Sequence, residues 1–293
     1  MRQDATSFAV PAGRAQAPGV GAWVLIAPLL LWVVVFIAAP TLIMLVYSFC
    51  KRGTLGGVVF SFTLENYATV FDATYLRIVI RSIVFSAATT AICLLVGYPV
   101  AYYIGRAAQP WRNRLLMLVM IPFWTSFLIR TYAWVTILKS QGLLNSLLVQ
   151  YQLIAEPIEM LYTSGAVVLG LVYTFLPFMI LPIYTSVEKL DNALVEAAFD
   201  LGAGPLRAFS KVIVPMTSPG ITAGALLVFV PALGLYAVND ILGGGKVDMI
   251  GNIIENQFKG NARNWPFGAA LGISLLLAFA AAFWFTGRRQ HQR

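Results

Sequence analysis

Six stretches of the chain stay apolar for roughly 20 residues or more, which is the length of helix that crosses the hydrocarbon layer of a bilayer. They cover residues 23–49, 78–104, 115–138, 164–186, 219–241 and 266–286. In lipid every backbone N–H and C=O must find its partner inside the protein, so segments of this length are read as helices. The charge content agrees: only 11% of the residues are charged, against about 25% in an ordinary soluble domain. A water-soluble chain of this size would still need a polar surface. The predicted fold is an all-α membrane protein with six transmembrane helices. Proline recurs within the segments, at Pro28, Pro40, Pro99, Pro122, Pro177, Pro182 and Pro231. Spanning helices tolerate it when neighbours satisfy the freed carbonyls, so kinked and tightly packed helices are expected.

Lysine and arginine near the span ends set the orientation. Arg2 and Arg14 precede the first segment, Arg106, Arg112 and Arg114 crowd the short loop after the second, and Lys189, Arg207 and Lys211 lie between the fourth and fifth. Arg288, Arg289 and Arg293 follow the sixth. These eleven residues predict an N-in, C-in arrangement; the other nine of the 20 basic residues lie on or near the opposite side. Residues 1–20 read as a flexible cytoplasmic tail, 21–287 as one integral domain and 288–293 as a cytoplasmic C-terminal tail. Residues 143–152 and 250–258, in outer loops, are amphipathic enough to form short interfacial helices. Gly220-x-x-x-Gly224 and Gly268-x-x-x-Gly272 mark seams where helix backbones approach closely.

Several chemistries are excluded. The net charge of +8 is not gathered into a stripe, so it does not point to nucleic acid. Cys50, Cys93 and His291 make neither a disulfide framework nor a metal site. Gly243-Gly244-Gly245-Lys246 resembles a phosphate-binding loop only briefly. The position that needs the first glycine holds Asp240, and the residue after Lys246 is Val247 rather than Ser or Thr. The motifs of zinc and serine hydrolases are absent. The chain reads as a non-catalytic protein with no cofactor of its own, whose energy comes from another subunit or from a gradient.

The loop between the fourth and fifth segments, residues 188–215, has its own local order. Asp191 can cap a short helix. Leu194, Ala197, Ala198 and Leu201 then share one face. Gly202 and Gly204 can end that helix in a left-handed turn, and Pro205 suits the first turn of the next, which Pro215 is expected to stop. The result is a bent helix pair on the cytoplasmic face.

Within it, Glu196-Ala197-Ala198-x-x-x-Gly202, followed after nine residues by Val212-x-Val214-Pro215, resembles the EAA loop of ABC-importer permeases. The family carries Ile and Leu where this chain has Val212 and Val214. The resemblance implies a type I ABC-importer permease of the bacterial inner membrane, with this loop as a coupling helix docked in a groove of a separate ATPase. Glu196 would pair with a basic or hydrogen-bonding group there, Ala197 and Ala198 would allow close approach, and Gly202 would make the bend; Asp200 and Pro215 belong to the same loop. ATP and Mg would be used by the partner ATPase. The implied partners are a second, C-type permease, two copies of the ATPase, a periplasmic substrate-binding protein and membrane lipid.

The segments Pro122–Trp134, Val228–Gly245, Ile250-Gly251-Asn252 and Asn264–Ala270 are similar to the B-type permeases of spermidine/putrescine importers. Related branches carry opines, other organic amines, phosphonates or ferric ions. A polyamine path should offer carboxylates, carbonyls and aromatic faces, each cation–π contact contributing about 0.5–2 kcal/mol. Trp124, Tyr173, Phe175, Tyr236, Asn239 and Asp240 are the candidate pathway residues, although aromatic side chains in spans more often serve packing. Arg130 would repel a cation; it is expected to snorkel or to pair with an acid of the partner permease. A gradient-driven secondary transporter is the rival reading. It would need a mid-span acid, which the fourth to sixth segments lack. A membrane-embedded hydrolase is disfavoured by the absence of a Ser/His or metal pair.

Overall fold

The structure is a computed structural model that describes residues 20–54, 56–259 and 263–290. Residues 1–19 of the predicted N-terminal tail, His291 and Arg293 lie outside the described residues, as do the side chains of Arg288 and Arg289, while Val20 already belongs to a helix. The chain begins with α1 (Val20–Val33), a π-helical turn (Val34–Ala38) and α2 (Ala39–Ser48), then a two-stranded hairpin of β1 (Lys51–Arg52) and β2 (Val58–Val59). There follow α3 (Glu65–Val70), α4 (Ala73–Arg106), α5 (Gln109–Met120), a 3-10 turn (Ile121–Trp124), α6 (Phe127–Leu138), α7 (Leu143–Gln150) and α8 (Ser164–Glu188). The C-terminal part holds α9 (Asn192–Asp200), α10 (Pro205–Ala208), a second π-helical turn (Phe209–Ile213), α11 (Val214–Gly234), α12 (Tyr236–Gly243), α13 (Ile250–Lys259) and α14 (Trp265–Gln290).

Helices lie over all six apolar segments, but two are not the single rods that hydropathy suggests. Four stretches are long and apolar enough to cross a membrane, namely Ile26–Ser48, Ala73–Arg106, Ser164–Glu188 and Pro205–Gly234. The third segment is broken: Gln109–Trp124 and Phe127–Gln150 meet at 88°. Pro122 sits in the tight turn at the break, and Thr125 and Ser126 are extended, with ψ of 149° and 132°. A proline cannot supply the N–H that would continue the ladder. The fifth segment stops at Gly234, because Leu235 is extended with ψ 101° and the chain restarts as α12. Gly251 of α13 packs against the Gly234 carbonyl, where a Cβ would come within 2.6 Å of its oxygen. A glycine is the residue least committed to helix, and tertiary contact at that carbonyl favours the break.

Pro215 does not end its helix. The stretch from Pro205 to Gly234 is continuous, because the turn before Pro215 widens. The N–H of Val214 bonds the carbonyl of Phe209, five residues back, and the N–H of Ala39, just before Pro40, bonds that of Val34 in the same way. One extra residue in the turn accommodates the proline without breaking the rod.

The core is a trio of α4, α8 and α11, with α12 against the first third of α8. Lipid tails supply no hydrophobic drive between spanning helices, so contact depends on small residues and interhelical hydrogen bonds. Gly97 of α4 meets Met179 and Ile180 of α8, and a Cβ on Gly105 would reach 2.6 Å from Val187. Gly220 and Gly224 of α11 lie on Pro182, Ser186 and Met179 of the same helix. Buried Tyr98 and Thr217 share a hydrogen bond of 3.0 Å between α4 and α11. A second, smaller cluster joins Val70, Ile250, Phe267, Ala270 and Leu271, and α14 lies along α2. The end of α1 and the π-helical turn after it are apolar and unburied from Leu29 to Ile37, as a lipid- or partner-facing surface should be.

The Gly220 contact gives a direct test. A Cβ there would lie 2.4 Å from both the Pro182 carbonyl and Ser186 Oγ. Gly220→Val should therefore destabilise the purified protein by about 1–3 kcal/mol, read as a lower thermal midpoint. Gly57→Ala, where nothing lies within 4 Å, should leave the midpoint in place.

Candidate functional site

The loop after α8 stands clear of the bundle. Asp191 Oδ1 accepts from the N–H of Ala193 at 3.0 Å and starts α9. Gly202, with φ +80°, closes it in a left-handed turn. That backbone position, rather than any crowding, is what calls for glycine, since nothing lies within 4 Å of its Cβ position. Gly204 is not left-handed, with φ −70°, and serves instead as the cap before Pro205. Glu196, Ala197, Asp200 and Pro215 are exposed and Ala198 is half-buried. Leu194, Phe199, Leu201 and Leu206 are exposed as well, with Leu201 at 89% and Leu206 at 84%. A nine-residue helix is marginal alone, and its apolar side chains are only partly covered by its own chain, Leu201 hardly at all.

The base of this loop is tied down. Arg112 on α5 donates from Nη1 to Glu188 Oε1 at 2.7 Å, across an ion pair whose arginine side chain is only 20% exposed. Arg106, the last residue of α4, hydrogen-bonds Asn192 Oδ1 at the start of α9 and stacks on Tyr102, 5.5 Å from the ring centroid. The corner between α4 and α5 is therefore tied on both sides of Asp191, to the end of α8 at Glu188 and to the start of α9 at Asn192.

At the opposite end of α8, roughly 37 Å away along the helix, α12 and α13 form a polar cluster. Asn239 is buried and donates to the Val247 carbonyl at 2.6 Å and to Asn252 Oδ1. Asn252 Nδ2 in turn donates to Asp240 Oδ1. Lys259 Nζ lies 5.1 Å from the centre of the Tyr236 ring and 2.9 Å from Glu255 Oε1. The Glu255 carboxylate, and then the Tyr236 hydroxyl, hold this ammonium above the usual lysine range. Tyr236, Asn239 and Asp240, chosen from sequence as pathway residues, are thus brought together. They stand on a helix separate from α11, because of the break at Leu235.

The other three are elsewhere. Trp124 is 86% exposed on the turn at the α5–α6 break. Tyr173 packs edge-on against Trp134 at 5.6 Å between centroids, and Phe175 is buried in the core. Arg130 stacks its guanidinium over Phe123 and Tyr173, at 5.5 and 5.7 Å. Its Nε is buried with no hydrogen-bond partner, and it forms no ion pair among the described residues. Within this chain, aromatic faces hold the cation.

Residues 94–288 match the family described as binding-protein-dependent transport system inner membrane component. The chain belongs to this family. The permease is 45% identical over 249 residues to the spermidine/putrescine transport system permease protein PotB of Haemophilus influenzae, covering 85% of this chain and 87% of that protein. It is 44% identical to PotB of Escherichia coli K12, covering 84% and 89%. The inner membrane ABC transporter permease protein YdcU of Escherichia coli is 30% identical, covering 91% and 89%. The fold is that of a solved bacterial alginate ABC transporter in complex with an alginate-bound periplasmic protein. One chain there gives a TM-score of 0.70 at 18% identity, over 89% of this chain and 91% of that one. The permease is a multi-pass protein of the bacterial inner membrane, as its family and its apolar helices require.

Sequence reasoning had not singled out Arg106 and Arg112 as loop anchors, nor Glu255 and Lys259 as neighbours of Tyr236. The only sequence signal for the latter pair is their spacing of four on an amphipathic helix. The anchor at Arg112 is testable: a double-mutant cycle of Arg112→Ala and Glu188→Ala in thermal unfolding should return a coupling energy of about 0.5–2 kcal/mol. The Arg112→Glu, Glu188→Arg exchange should recover much of the loss that either reversal causes.

Proposed function

We propose that this permease forms half of the translocation pathway of an ATP-driven polyamine importer and is moved through the 188–215 loop. The observation that carries the reading is α9. It is a capped, left-handed-terminated helix that projects Leu194, Phe199 and Leu201 away from the bundle, at the spacing of the EAA loop. Glu196, Ala197, Ala198, Asp200, Gly202 and Pro215 make up the face and bend offered to an ATPase. The inward placement of both termini puts this loop in the cytoplasm, and the six helical segments then cross the membrane as one domain of residues 21–287.

The complete transporter pairs this permease with a second, homologous one, two copies of an ATPase that bind ATP and Mg, and a periplasmic binding protein. Closure of the ATPases would push on α9. The ties from Arg106 to Asn192 and from Arg112 to Glu188 would carry that movement into α4 and α5. Rigid-body rocking of helices about a central path is the physical basis of alternating access. The names of the relatives that share 44–45% of the sequence support spermidine and putrescine as cargo. The polar cluster with Tyr236, Asn239 and Asp240 supplies carboxylate, carbonyl and aromatic groups suited to an organic cation. Trp124 is exposed at the α5–α6 turn, whereas Tyr173 and Phe175 would take part only after the helices move, because Tyr173 is engaged by Arg130 and Phe175 is buried.

The test is uptake by the complete transporter reconstituted in proteoliposomes. Labelled spermidine should accumulate only with ATP, and Glu196→Arg should abolish most of that uptake while the helices stay folded by circular dichroism. Gly202→Val should do the same, because a β-branched side chain at φ +80° strains the turn by about 1–2 kcal/mol. Normal ATP-driven uptake in both variants, or uptake driven by a proton gradient alone, would overturn the reading.

A further inference from the structure

Lys259 is placed in a way that a helix-surface ion pair does not explain. Its contact with Glu255, at 2.9 Å, is the ordinary pairing of residues four apart. Its contact with Tyr236 is not, because that ring belongs to α12, 23 positions earlier. The ammonium lies over the ring face at 5.1 Å, inside the roughly 6 Å range of cation–π attraction. The Tyr236 hydroxyl is 3.5 Å away. Asp240, fixed by its bond from Asn252, is within electrostatic reach of both Glu255 and Lys259. The site therefore offers one aromatic face and the Glu255 carboxylate to a single ammonium, with the Asp240 carboxyl held nearby by Asn252.

Acceptor and occupant are held very differently. The Glu255 side chain is only 16% exposed and Asp240 is braced by the Asn239–Asn252 pair, whereas the Lys259 side chain is 66% exposed. The recognition groups are built in, and the cation on them sits at the end of a flexible four-carbon stem. A primary ammonium on an alkyl chain is also the chemical end group of a linear polyamine.

We propose that Tyr236, Asp240 and Glu255 form a subsite for a primary alkylammonium group of the cargo, and that Lys259 is a tethered competitor for that subsite. The inference rests on the polyamine reading above and adds to it the groups that meet one end of the cargo. A cargo ammonium entering the subsite displaces Lys259 into solvent, and Lys259 returns when the cargo leaves. The lysine thus weakens binding at the mouth of the path, which speeds release toward the next position.

The test measures equilibrium binding of labelled spermidine to the purified transporter, with all its subunits, alongside uptake. Lys259→Met should lower Kd by about two- to fivefold, the factor that a displaced surface cation–π contact carries. Lys259→Arg, which puts a cation back over the ring, should return Kd toward the native value. Asp240→Asn and Tyr236→Leu should each raise Kd. Lys259→Gln serves as a second neutral variant if the methionine protein does not assemble. An unchanged or raised Kd in the neutral variants of a transporter that takes up spermidine would overturn the subsite alone. Absence of spermidine uptake by the unaltered transporter would overturn the polyamine reading, and the subsite with it.

Discussion

The close approach of α8 to its neighbours is the contact on which the rest of the molecule depends. In lipid the helices gain nothing by hiding apolar surface from water, so they must hold together by fit and by hydrogen bonds. Glycines make that fit possible at successive levels of one helix. Gly170 of α8 itself admits Leu242 and Val238 of α12, Gly224 and Gly97 close on Met179, and Gly220 and Gly105 close on Pro182, Ser186 and Val187. The α8 helix therefore links the polar cluster at its first residues to the projecting loop at its last. Movement imposed at one end is transmitted through packed backbone, which resists compression.

Proline takes two opposite roles around that spine. Before Pro40 and Pro215 the helix widens by one residue and continues. At Pro122 the chain turns by 88° instead. The difference lies in the residues that follow. Thr125 and Ser126 adopt extended backbone, and the Pro122 carbonyl accepts from Thr125 Oγ1 at 2.8 Å, so the chain leaves the helix at that point. The bend places Arg130 against Phe123 and Tyr173, and it makes the third segment a shaped element of the bundle rather than a strut.

Much of this was legible in the residues. Local rules were enough for the helix caps: Asp191 starts α9, Gly202 turns it off and Pro205 opens the next helix, as carboxylate, absent Cβ and fixed φ dictate. The small-residue seams at Gly220, Gly224 and Gly268 were visible as spacing, and each meets a neighbour at close range. What local rules misjudged were the breaks. Hydropathy averages over a window, so it cannot distinguish a straight span from a bent one, and it carried the fifth span through Leu235 and placed Asp240 at its end.

Segment length, apolar character, capping and motif spacing are properties of neighbouring residues, and the sequence by itself determined them: a helical membrane protein, six apolar segments and a capped loop that carries its family's motif. The tertiary structure alone decided which distant groups share a site. Lys259 meets Tyr236 because Gly251 seats α13 on the Gly234 carbonyl where α11 stops. Arg112 meets Glu188 because α4 and α8 end side by side, with Gly105 against Val187. Those meetings follow from helix ends and crossing points that no single segment encodes, since each depends on the volume and the free carbonyls that another helix presents.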